Sequence, residues 1–122
     1  MAVNESIRGI KNYLAEQFHL KEEQIESMLP GFISTLATHL QKLESAVDGN
    51  NPFEIGRAAH TLKGALLNLG LEECAKTALF IEEKGKTGES STDFKKLVDD
   101  LRVRMTSLIN EDNLLKTTIL DG

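Results

Sequence analysis

The stretch AAHTLKGALLNLG, residues 58–70, sets a histidine, a lysine and a glycine at His60, Lys63 and Gly64. On a helix, spacings of three and four make these residues neighbours on one side. Imidazole is a competent nucleophile near neutral pH. A phosphoryl group arriving at a ring nitrogen spreads negative charge over its oxygens, and a fixed cation beside the ring stabilises that charge. Lys63 has the spacing to supply one, and Arg57, three residues before His60, adds to the positive field. Glycine in a helix interior costs about 1 kcal/mol relative to alanine, but its missing side chain leaves room for another protein to come close. His60, Lys63 and Gly64 together are chemically coherent as a phosphoryl acceptor. The other two histidines, His19 and His39, read as ordinary surface residues.

The elements that must position this set are helices. Tryptophan is absent, aromatic residues are scarce, and Leu, Ala, Glu and Lys abound, a composition that favours helix over strand. Apolar residues recur every three or four positions at Val3, Ile7, Ile10, Leu14 and Phe18, and again at Ile25, Leu29, Phe32, Leu36, Leu40, Leu43 and Val47. The second stripe runs across Pro30 and Gly31, a pair that either kinks one long helix or begins a new one. DGNNP, 48–52, is the clearest break in the chain, and a helix from about 52 to 69 follows, closed by Gly70. A helix over about 71–84 comes next, then a polar loop at 85–91. Ser91 or Thr92 can cap a last helix bearing Phe94, Leu97, Val98, Leu101, Met105 and Leu108 on one face. The 122 residues suffice for one domain. The fold class that follows is all-α: an antiparallel four-helix bundle over 21–119, with a short additional N-terminal helix within 1–20 packed across one end or side.

The helix carrying His60 has two faces. At about 100° per residue, Ile55, Ala58, Ala59, Leu62, Ala65, Leu66 and Leu69 fall within roughly 120° around Leu62, which defines the core face. His60, Gly64, Phe53 and Leu67 lie about 140–180° away, with Gly56 one turn below His60. A purely solvated face would be Glu, Lys and Gln. This one either meets another helix of the bundle or is a smooth, partly apolar surface against which a partner lies.

Other functions find little support. The formal net charge is −5 with acidic and basic residues mixed throughout, so no basic face is available for nucleic acid. The single cysteine, Cys74, permits no internal disulfide, reads as a small buried residue and suits a reducing cytoplasm. No signal peptide or spanning segment is evident. One Glu-x-x-His, Glu16 to His19, is half of what a di-iron bundle requires, and no metal site is expected. No glycine-rich nucleotide loop supports a kinase.

AHTLKGALLNLG resembles the signature of the histidine-containing phosphotransfer (HPt) domains of two-component phosphorelays, with His60, Thr61, Leu62, Lys63, Gly64 and Gly70 matching. The approach LESAVDGNNPFEIGRAAH fits the same family, whereas Leu66 and Leu67 are bulkier than the small residues many members carry there. The resemblance implies that His60 takes a phosphoryl group from the phosphoaspartate of a receiver domain in a hybrid sensor kinase and passes it to the receiver of a response regulator. Lys63 would assist electrostatically, and Gly64 would leave room for docking beside Phe53, Gly56, Arg57 and Leu67. It further implies that Glu82, at the position of a glutamine or glutamate on the next helix, orients the imidazole. The expected protein is a monomeric, cytoplasmic, free-standing phosphocarrier without a cofactor of its own, any Mg2+ coming with the receiver. The competing reading is an unphosphorylated adaptor that binds or sequesters receiver domains through the same face. One tension stands: the helical wheel turns His60 away from the core, whereas contact with Glu82 requires it at the groove between two helices.

Overall fold

The amphipathic segments become five helices among the described residues of the computed structural model, which are 6–88 and 91–121, with side-chain surroundings described as far as Ser107. The helices are α1 (Ile7–Phe18), α2 (Glu22–Asp48), α3 (Pro52–Asn68), α4 (Glu72–Lys86) and α5 (Phe94–Asp121). Helix α2 packs on α3 and α5, and α4 packs on the same two, so four long helices close a ring. Helix α1 lies against α2 and α5, on the side of that ring. The apolar stripes meet inside it. Leu36, Leu43, Ile55, Leu62, Leu66, Ile81, Leu101 and Met105 are all fully buried. Val3 and Leu108, expected on two of these stripes, lie outside the residues with described side chains.

Helix ends follow local chemistry. Ser6 Oγ accepts from the Gly9 backbone N–H at 3.0 Å and starts α1. Pro30 sits inside one continuous α2, so the stripe that crosses it belongs to a single helix. Asn51 Oδ1 accepts from the backbone N–H groups of Phe53 and Glu54, with Pro52 in the first turn, and starts α3. That helix ends in a Schellman arrangement: Leu71 N–H donates to Leu66 O at 3.0 Å and Gly70 N–H to Leu67 O at 3.1 Å. Gly70 has φ +74°, and a Cβ there would lie 2.5 Å from the Tyr13 ring of α1. The glycine thus turns the chain into α4 and seats α1 at the same point.

Two boundaries differ from the sequence expectation. Helix α4 continues through Gly85 to Lys86, because Gly85 packs inside the fold instead of opening a loop. The cap of α5 falls at Asp93, not at Ser91 or Thr92, since Asp93 Oδ1 accepts from the Lys96 N–H at 3.1 Å. No helix among the described residues is long and apolar enough to cross a membrane.

Candidate functional site

The site is built where α3 and α4, the most extensively packed pair, come together. What lets them approach is a pair of glycines. A Cβ on Gly85 would lie 2.5 Å from the Pro52 carbonyl oxygen and 2.6 Å from the Gly56 Cα, and one on Gly56 would lie 3.2 Å from the Glu82 carbonyl oxygen. Gly56 is buried in this contact. The expectation that it lies on an open docking surface is therefore corrected: α4 occupies that flank of α3, and Gly56 forms the floor beside His60. The close approach brings the outer flank of α3 within reach of α4 side chains. It also resolves the tension over His60, which stands on the rim of the groove, facing solvent while touching the neighbouring helix.

Glu82 is 2 % exposed and is the one buried charged residue among those described. Its carboxylate meets three nitrogen groups. His60 Nδ1 lies 2.8 Å from Oε2, Lys86 Nζ 2.9 Å from Oε2, and Lys63 Nζ 2.7 Å from Oε1. Burial pushes the Glu82 carboxyl up, but its close polar contacts with Lys63, Lys86 and His60 together outweigh it and hold it at about 2. Glu82 is thus an ionised acceptor at neutral pH. The proton in the 2.8 Å contact must then sit on His60, so Nδ1–H donates to Glu82 and the lone pair is left on Nε2. The His60 side chain is 64 % exposed, so that nitrogen belongs to an accessible ring.

Lys63 does not stand free beside the ring. Its side chain is only 21 % exposed and its ammonium is committed to Glu82. Lys86, missed in the sequence because its position was assigned to a loop, is 69 % exposed and shares the same carboxylate. The signal for it was present: Glu82 and Lys86 are four apart, the favourable acidic-before-basic order on a helix. Arg57 is exposed and paired with Glu54 at 3.4 Å. Gly64 has nothing within 4 Å of where a Cβ would stand, so nothing among the described residues requires the glycine. Phe53 and Leu67 are exposed, and the Phe53 ring lies over Gly88 at the end of α4. The second face of α3 therefore divides. Its Gly56 and Lys63 flank is covered by α4, and its Phe53, His60, Gly64 and Leu67 strip is open. Among the described residues, no group of three His, Cys, Asp or Glu side chains is placed to hold a metal ion.

No curated protein and no solved structure matches the chain. A family model does: the Hpt domain model matches residues 27–111, a span that runs from within α2 into α5 and includes the whole site.

Proposed function

Because this chain belongs to the Hpt domain family, with the phosphotransfer role in two-component signalling which that membership carries, we propose that His60 Nε2 is the atom that accepts and then gives up the phosphoryl group. The observation that carries this reading is the 2.8 Å contact of His60 Nδ1 with the buried Glu82 carboxylate on an otherwise exposed ring: a carboxylate there takes the Nδ1–H, and the lone pair then falls on Nε2. Nε2 attacks the phosphorus of a receiver phosphoaspartate. The N–P bond forms, the P–O bond breaks, and the electron pair leaves on the aspartate oxygen. The reverse displacement by a second receiver's aspartate returns neutral His60.

Glu82 orients the ring and keeps one tautomer, the part a carboxylate plays for many functional histidines. Lys63 and Lys86 lie within reach of one carboxylate and so raise the positive potential around the ring, where the phosphoryl oxygens gather charge. The open position at Gly64, between the exposed Phe53 and Leu67, fits the approach of a receiver's active-site loops, with Arg57 at the edge. In this reading the chain is a cytoplasmic, monomeric phosphocarrier between the receiver of a hybrid sensor kinase and that of a response regulator. It takes no cofactor of its own, and any Mg2+ comes with the receiver.

The test is incubation with a phosphorylated receiver domain and Mg2+. Wild type should acquire an acid-labile, base-stable phosphate, and His60→Gln should acquire none. Equal labelling of the two would sink the assignment. Receiver binding without any labelling would leave only the adaptor reading.

A further inference from the structure

Glu82 does more at this site than a neutral hydrogen-bond acceptor could, and resting on the phosphocarrier reading we infer that its charge keeps Nδ1 protonated while His60 carries the phosphoryl group, making the phosphohistidine a ready donor. The reason lies in the leaving group. When the N–P bond of a phospho-imidazolium breaks, the electron pair returns to Nε2 and the ring departs as neutral imidazole with its proton still on Nδ1. When the same bond breaks in a ring that has lost that proton, the ring must depart as an imidazolate anion, a far poorer leaving group. Whatever holds the Nδ1 proton therefore holds the phosphoryl group in its transferable form.

The geometry assigns that task to Glu82. Its Oε2 lies 2.8 Å from Nδ1, and the Glu82 side chain is 2 % exposed, so little water reaches the carboxylate to screen its charge. The charged groups facing the ring come from the two helices that line its pocket: Arg57 and Lys63 on α3, Glu82 and Lys86 on α4. Arg57 is paired with Glu54, which leaves two lysines against one carboxylate. A phosphoryl group on Nε2 brings two negative charges at most, and an imidazolium brings one positive charge. The loaded site then sums to neutrality, and removing the carboxylate leaves it with excess positive charge that expels the ring proton. Lys86 acts in the opposite sense to Glu82. It is a cation near the imidazolium, and it shares the oxygen that Nδ1–H uses.

The experiment labels His60 in the full chain with potassium phosphoramidate, so that no receiver is needed, and follows loss of the phosphohistidine signal by 31P NMR across pH 5–10. Signal from the other histidines is identified with His60→Gln. Hydrolysis should slow as the Nδ1 proton is lost, with a midpoint that Glu82→Gln moves down by about one pH unit and Lys86→Met moves up. At a pH above both midpoints, hydrolysis of phosphorylated Glu82→Gln should be roughly tenfold slower than that of wild type. Lys86 is exposed, so its variant tests the idea even where Glu82→Gln folds poorly. Midpoints that do not move, or that both move the same way, overturn the inference, because a purely structural role predicts no opposed shifts. Failure of His60 to take label at neutral pH overturns it too, since Nε2 must carry a free lone pair. Opposed shifts in a labelled chain that no receiver discharges would uphold this inference and refute the relay function. Unmoved midpoints with normal transfer would do the reverse.

Discussion

Gly64 and Glu82 are both residues a stable helical bundle would avoid, one for its missing side chain and the other for its buried charge. At Gly64 the fold makes no demand: the space for a Cβ is open and the backbone is ordinary helix. Gly64→Ala should therefore stabilise the chain by about 0.5–1 kcal/mol, read as a higher urea midpoint. Phosphoryl transfer from a receiver should fall at least several-fold in the same variant, because the methyl group would stand in the partner's proposed path of approach. A variant that is more stable and transfers as fast would remove docking as the reason for the glycine. Glu82 is the opposite case, since its burial is tolerated only through its partners. Lys63→Met takes away the better shielded of its two ammonium partners and should destabilise by about 1–3 kcal/mol, measured by the same denaturation.

Between helices, the decisive feature is the Gly56–Gly85 crossing of α3 on α4. A methyl group on Gly85 meets backbone atoms of Pro52 and Gly56, which cannot swing aside as a side chain can. Gly85→Ala should cost about 1–3 kcal/mol through overpacking and push the helices apart. The 2.8 Å contact between His60 and Glu82 spans that same interface, so the variant should also lose the single Nδ1–H tautomer. Imidazole 15N shifts would check this, with wild-type shifts in Gly85→Ala counting against it. At the far end of α3, Gly70 combines a left-handed backbone with the Tyr13 ring. Gly70→Ala should destabilise by more than the roughly 1 kcal/mol of the backbone effect alone, because Tyr13 must also move. It should leave the tautomer intact, since the site lies turns away along α3.

For the molecule as a whole, Glu82 links folding to pH. Its carboxyl is held at about 2 in the folded chain against an ordinary value of 4.5, so the unfolded chain binds the proton more readily. The stabilisation is fully present above the ordinary value and is lost as pH falls through the range down to about 2. Urea midpoints measured between pH 6 and pH 2.5 should fall with acid more steeply in wild type than in Glu82→Gln, which has no proton to take up there. Parallel curves would show that other carboxylates dominate acid unfolding. The bidentate pair of Arg102 with Glu44, joining α5 to α2, lies on an exposed side and contributes less to stability than the buried Glu82 cluster.

Much of this was written in the chain and could be read there. The three-to-four spacing of Ile55, Leu62 and Leu66, and of Cys74, Ala78 and Ile81, determines helices and their buried faces, because periodicity is local and burial follows it. Asn51-Pro52 and Gly70 mark helix ends by their own backbone chemistry. The types and spacing of His60, Lys63 and Gly64 are coherent with a phosphoryl acceptor, the role proposed for them. What the sequence left open depends on how close two helices come, and that is set by residues with no side chain at all. Gly56 and Gly85 read as a docking position and a loop residue until α3 and α4 are seen in contact. Only their approach decides that Lys63 turns to Glu82, that Lys86 joins it, and that His60 is at once exposed and held. A helical wheel fixes the direction of a side chain about its own axis. The distance to the neighbouring axis belongs to the tertiary structure alone.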